Sequence, residues 1–175
     1  ADIDYIKGLG VRIHPNIRIG KDLGLADLWQ QGYQAILIAT GNQKSTGLGI
    51  PGADLSGIYP ALPFLKKAKM GQLTSLKGKV WVIGGGAVAT DVARTALRLG
   101  ADEVHIACLE CRADMPAFTW EIEAAEREGV HMHPSLAPQQ FLSKDGSRVS
   151  GIDFKRVVST QMDSQGIIHW NLVEG

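Results

Sequence analysis

Gly84-Gly85-Gly86-Ala87-Val88-Ala89 is the stretch of this sequence whose residue types and spacing point most directly to chemistry. It follows the apolar run Lys79-Val80-Trp81-Val82-Ile83 and leads straight into residues 87–99. There, apolar side chains at 88, 89, 92, 93, 96, 97 and 99 predict one face of a helix, with Thr90, Asp91, Arg94, Thr95 and Arg98 opposite. A G-x-G-x-x-A turn between a buried strand and a helix is a phosphate cradle. Gly84 permits the tight turn, Gly86 lets a pyrophosphate approach the backbone, and Ala89 in the third position lets the helix pack close to the strand. The free amides at the helix start, at Ala87 and Val88, and the positive end of the helix dipole then hold the anion. The alternative is a glycine-rich turn in a Rossmann-like domain that carries no nucleotide.

The end of the next strand selects the nucleotide. Val104-His105-Ile106-Ala107-Cys108 predicts that strand, and Leu109-Glu110-Cys111-Arg112 follows it. A carboxylate at this place accepts hydrogen bonds from free ribose hydroxyls and repels a 2′-phosphate; an arginine pairs with the phosphate. Glu110 therefore argues for NAD(H) and Arg112 for NADP(H), while a solvated loop charge is the other account of each. Glu110 lies somewhat beyond the usual spacing of about 20 residues from the glycine turn.

The elements that must position these residues are legible on either side. Residues 59–69 and 119–128 predict helices, and Val130-His131-Met132-His133 a further strand, so strand and helix alternate as a parallel sheet requires. After Pro138 the pattern changes: Gln140-Phe141-Leu142, a Lys144-Asp145-Gly146 turn and Val149 to Val158 predict a β-hairpin or meander, with 167–172 adding a strand. Upstream, residues 2–9 and 25–31 predict short helices, and 11–14 and 17–19 short strands about a Pro15-Asn16 turn. Ala35-Ile36-Leu37-Ile38-Ala39 predicts a strand buried on both faces. Residues 40–58, with glycines at 41, 47, 49, 52 and 57, predict a linker or domain crossing. The expected architecture is α/β: a Rossmann-like three-layer domain with a parallel sheet and an antiparallel β-meander, plus a remnant of a flanking domain.

Composition narrows the partners. Lys plus Arg equals Asp plus Glu at 18 each in 175 residues, which argues against nucleic acid or an anionic membrane as the main partner. No apolar run approaches the roughly 18 residues of a membrane span. An acidic start, no secretion signal and two cysteines together suggest a reducing, cytoplasmic compartment. The lack of an initial methionine suggests a piece of a longer chain. Cys108 and Cys111 form C-x-x-C, but at the ribose end of the pocket, where a redox pair would be far from a flavin. His131 and His133 alternate on one strand with no third ligand evident, which favours surface histidines over a metal site; Phe118 and Trp120 read as packing residues rather than a stacking platform.

Four stretches also carry a family resemblance: Ile36-Leu37-Ile38-Ala39-Thr40-Gly41, Leu48-Gly49-Ile50-Pro51-Gly52, Gly84 through Ala101, and Arg112-Ala113-Asp114-Met115-Pro116-Ala117. In these the chain resembles the pyridine-nucleotide-binding part of the FAD-dependent oxidoreductases related to the glutamate synthase small (beta) subunit. The resemblance implies that residues 1–45 are a partial FAD-domain segment, with Thr40 and Gly41 near the flavin, and that 46–175 are the NAD(P)-binding domain. It implies that Asp91 stands near the nicotinamide carboxamide. Three departures stand out. The family's FAD-binding glycine motif and returning flavin segment are not in this sequence. Ala87 replaces a frequent asparagine. Leu109 and Glu110 stand where NADPH-using members typically carry two arginines, which favours NAD(H) over NADP(H).

The expected function is that of the NAD(P)H-binding domain of a flavin-dependent oxidoreductase, orienting the nicotinamide for hydride transfer to FAD. No catalytic acid, base, nucleophile or metal is expected of it. FAD belongs to the full-length protein, and the partners implied are the rest of the flavoprotein and an iron–sulfur electron-transfer subunit or domain. A non-catalytic dinucleotide-sensing or assembly module is the alternative.

Overall fold

The computed structural model describes residues 2–165 and 168–173. The chain divides into two compact units, Ala1–Gly41 and Asn42–Gly175.

The first unit holds helices α1 (Asp2–Gly8) and α2 (Leu25–Gln30), as the short apolar periodicities predict. The strands expected at 11–14, 17–19 and 35–39 do not form. Only an isolated bridge joins Ile19 to Leu23, and Leu37 and Ile38 are 89% and 69% exposed. The reason is pairing: a strand's N–H and C=O groups must find a neighbour, and the described residues of this unit supply none.

In the second unit, α3 (Ala61–Lys69) precedes a β–α–β–α–β run: β1 (Lys79–Ile83), α4 (Ala87–Arg98), β2 (Glu103–Ala107), α5 (Thr119–Arg127) and β3 (His131–His133). The three strands are parallel in the order β1-β2-β3, with Val82 opposite Ile106 and Ile106 opposite Met132. Val82, Val104, Ile106, Ala93, Ala96 and Ala125 form the core beneath α4. Small alanines at 89, 93 and 96 let that helix lie close on the sheet. Thr90, expected on its polar face, is 2% exposed, while Val88 opens to solvent. Burial is tolerated because Thr90 Oγ1 donates to Ala87 O at 2.7 Å, so the hydroxyl is satisfied within its own helix.

The other face of the parallel sheet meets an antiparallel meander: β4 (Leu136–Ser143), β5 (Val149–Met162) and β6 (Ile168–Leu172), in that order. Ile167, the first residue of the strand expected at 167–172, lies outside the described residues. Contact between the layers is made by Trp81 of β1 and Phe154 of β5, ring centroids 5.1 Å apart. The β4 ladder shifts register between Pro138 and Gln140, where proline has no N–H to contribute. Asp145 closes the β4–β5 turn, accepting from the amides of Ser147 and Arg148 and from Ser143 Oγ. These bonds hold its carboxyl well below the usual carboxylate range.

Part of the expected linker is also packed structure. Phe141 N donates to Pro51 O at 2.9 Å, and Ser56 bonds Ser147 and Val149 through its backbone. Gly52 has φ +78°, and a β-carbon on it would stand 2.6 Å from Phe141 O. Glycine is required there, so the Pro51-Gly52 corner is shaped to seat on the hairpin.

Candidate functional site

The glycine turn has the geometry of a cradle. Gly84 has φ +127°, a region that side chains rarely adopt. Its amide donates to Ala107 O at 2.8 Å, holding the turn to the end of β2. Gly86 is the N-cap of α4, and no side chain caps the helix. A β-carbon at Gly86 would meet nothing within 4 Å. Open space thus lies in front of a helix start whose first amides are directed outward, as an anion requires. Ala89 is buried against the sheet, and Val88 is exposed beside the turn.

Gly85, to which the G-x-G-x-x-A pattern gives no role, is the most confined of the three glycines. A β-carbon there would lie 3.0 Å from Cys108 Cβ and 3.0 Å from Glu110 Oε2. Its carbonyl accepts from Ala117 N at 3.0 Å. The three consecutive glycines were the signal available, but only the convergence of β2 and the 109–118 loop shows why the middle one matters.

Glu110 is therefore brought to the glycine turn. Its backbone is held from the other side, where Ser135 N donates to Glu110 O at 2.9 Å. Arg112 begins a 3-10 turn, Arg112–Asp114, and is carried elsewhere: its guanidinium pairs with Glu126 Oε2 of α5 at 2.7 Å. Asp91 is exposed on α4 and opens on a groove between α3 and α4 lined by Leu65, Lys69 and Thr95. Thr40 and Gly41 end the first unit.

The two cysteines are free. Cys108 is buried, and burial, with the nearby Glu110, pushes its thiol up to about 11. A thiol so placed is a poor nucleophile. Cys111 is exposed and points its Sγ to Asp114 Oδ2 at 3.1 Å.

Two expectations need correction. Phe118 and Trp120 are not packing residues: they are 66% and 61% exposed and stack on each other. They flank the first turn of α5, whose buried face is taken by Ile122 and Ala125. Of the two histidines expected at the surface, His131 is exposed, but His133 is half-buried, and its Nε2 lies 3.0 Å from His105 Nδ1. Register places His133 opposite Ala107, one side-chain step along the same face from the aligned Trp81, His105 and His131, and its ring reaches His105 diagonally. Among the described residues no group of three or more His, Cys, Asp or Glu side chains could hold a metal ion. Nor is any helix among them long and apolar enough to cross a membrane.

The architecture and turn can be set beside known proteins. Residues 13–164 match the family model described as pyridine nucleotide-disulphide oxidoreductase. The chain belongs to that family. Members similar to it include the NADP(+)-dependent formate dehydrogenase subunit beta of Moorella thermoacetica, 40% identical over 95% of this chain and 24% of that protein. The glutamate synthase [NADPH] small chain of Escherichia coli is 32% identical over 98% of this chain and 39% of that protein, which bears out the resemblance to the glutamate synthase small subunit. The chain spans about a quarter of the length of the curated relatives it matches first. Among solved structures, Mycobacterium tuberculosis FprA in complex with NADPH superposes with a TM-score of 0.68 over 99% of this chain and 54% of that one, at 18% identity. That likeness is one of fold. Residues 79–133 of this chain form a parallel strand–turn–helix unit, with the meander packed on its other face.

Proposed function

We propose that this chain is the pyridine-nucleotide-binding module of a flavin-dependent oxidoreductase, built to present a nicotinamide to FAD. The carrying observation is the open, uncapped helix start at Gly86, set directly after a positive-φ glycine and a buried parallel strand. In this reading Gly84 shapes the turn, Gly86, Ala87 and Val88 offer backbone to the pyrophosphate, and Ala89 keeps the helix close. Glu110 accepts hydrogen bonds from the adenosine ribose. Asp91 is assigned to the nicotinamide end, where its carboxylate would accept from the carboxamide. When bound, the dinucleotide supplies a hydride and the flavin accepts it; the protein's part is to bind, orient and exclude competing reactions. Thr40 and Gly41 are assigned to the flavin side, residues 1–45 to a segment of the FAD domain and 46–175 to the nucleotide domain.

For the finer choice we propose NAD(H) over NADP(H). Leu109 and Glu110 offer no cation to a 2′-phosphate, and Arg112 is engaged by Glu126. The M. thermoacetica and E. coli relatives carry NADP in their names, so this chain would differ from them at the ribose. Electrons leave through partner subunits, an iron–sulfur protein or domain being the class that fits a flavin donor, and the free thiols suit a reducing, cytoplasmic setting. Calorimetric titration of the full-length protein with NADH and NADPH tests the reading: saturable binding with NADH tighter supports it, NADPH tighter overturns the preference, and binding of neither up to millimolar overturns the function.

A further inference from the structure

The loop that returns from Arg112 to α5 is anchored from below and open on top. Met115 and Ala117 are buried with Cys108 and Ile122. Ala117 N is hydrogen-bonded to Gly85 O, in the middle of the glycine turn. Phe118 N then donates to Glu121 Oε2 at 3.1 Å and starts α5. Just after this fixed point stand two large aromatic side chains, Phe118 and Trp120, 66% and 61% exposed. Their rings are close to parallel, with centroids 6.3 Å apart and planes 11° from each other.

Gly85 is thereby flanked on two sides. Glu110, the residue assigned to the adenosine ribose, approaches it from the end of β2, and the anchored loop reaches it through Ala117. The base of a dinucleotide is attached to the ribose that Glu110 reads. It presents a flat π-face that needs no particular hydrogen-bond donor, and exposed aromatic rings are what such a face stacks on. Two open rings on a fixed backbone also cost little ordering entropy when a ligand arrives.

We propose that Phe118 and Trp120 form the stacking platform for the adenine base of the dinucleotide held at Gly84–Ala89. This rests on the dinucleotide reading of the glycine turn. The platform adds affinity at the adenosine end and leaves the nicotinamide end untouched, so it discriminates a dinucleotide from a nicotinamide mononucleotide.

The test uses the full-length protein and oxidised ligands, so that binding is measured without hydride transfer. Dissociation constants for NAD+, NADP+ and nicotinamide mononucleotide are measured on the wild type, Phe118→Ala, Trp120→Ala and the double variant. Thermal melting is run alongside. Each single change is expected to weaken both dinucleotides by about tenfold and to leave the mononucleotide unchanged. In the wild type, nuclear Overhauser contacts from the Trp120 indole to the adenine protons are expected as well. Unchanged dinucleotide affinity in the double variant overturns the platform alone. So does an equal loss for dinucleotide and mononucleotide, which would mark a structural effect, and so does a loss confined to association with a protein partner. A wild type that binds no dinucleotide overturns the glycine-turn reading, and the platform with it.

Discussion

The carboxylate of Glu110 stands against the backbone of Gly85: a β-carbon on that glycine would lie 3.0 Å from Glu110 Oε2 and equally close to Cys108 Cβ. The residue proposed to read the ribose is thus packed on the turn proposed to hold the phosphates. Gly85→Ala must displace both neighbours, and Cys108 is buried. Overpacking of this kind costs about 1–3 kcal/mol. The expected result is a lowered melting temperature together with weaker NADH binding. A Gly85→Ala protein with unaltered stability and affinity would show that the contact is slack.

Ribose selection is tested at the same residue. Glu110→Arg removes a repulsive carboxylate and adds a phosphate partner, so the NADPH-to-NADH affinity ratio is expected to rise by about tenfold or more. Arg112→Ala gives the complementary measurement. Its pair with Glu126 is well exposed, so stability should change by no more than about 1 kcal/mol. If NADPH binding drops selectively in Arg112→Ala, the arginine rather than Glu110 sets the preference.

The layer beneath the site carries a pH dependence. His105 and His133 share a 3.0 Å contact between ring nitrogens, with Trp81 stacked on His105 at 4.6 Å and His131 on its other side at 5.0 Å. Burial first, and then His105 and His131, hold His133 below the usual imidazole range. Glu103 Oε2 lies 3.3 Å from His105 Nε2 while it also pairs with Lys79. Because His133 takes a proton less readily folded than unfolded, stability is retained above its unfolded value of about 6.5 and lost as pH falls through the lower folded value. Urea midpoints should therefore be flat at neutral pH and decline in mild acid, with a shallower decline in His133→Gln. Superimposable pH curves for the two proteins would place the dependence elsewhere.

Thiol chemistry separates the C-x-x-C pair. Cys108 is buried with its thiol raised to about 11, and Cys111 is exposed. Iodoacetamide at neutral pH is expected to modify Cys111 and spare Cys108 until the protein is unfolded, as peptide mass mapping would show. Cys111→Ser should retain dinucleotide binding. Rapid native labelling of Cys108, or a reducible 108–111 bridge that alters activity, would return the pair to consideration as a redox couple.

What the sequence by itself determined is the set of elements whose signals are local. The strand at 79–83, the turn at Gly84 and the helix after it, and the strand and helix that follow, are legible because apolar runs, glycine conformations and the 3.6-residue period act over a few residues. What only the tertiary structure decided depends on residues distant in sequence. The apolar run 35–39 has the composition of a buried strand but stays unpaired, since pairing is a property of neighbours. Thr90 is buried because the sheet and the flanking helices enclose α4, and the hydroxyl finds its partner inside the helix. His133 is half-buried because parallel register sets it opposite Ala107, on the same face as His105 and within reach of it, and Gly85 is confined because β2 and the 109–118 loop converge on it. Phe118 and Trp120, which look like core residues by type, are left open because α5 spends its buried face on Ile122 and Ala125. Residue type is a local quantity, whereas exposure and register are set by how the whole chain packs.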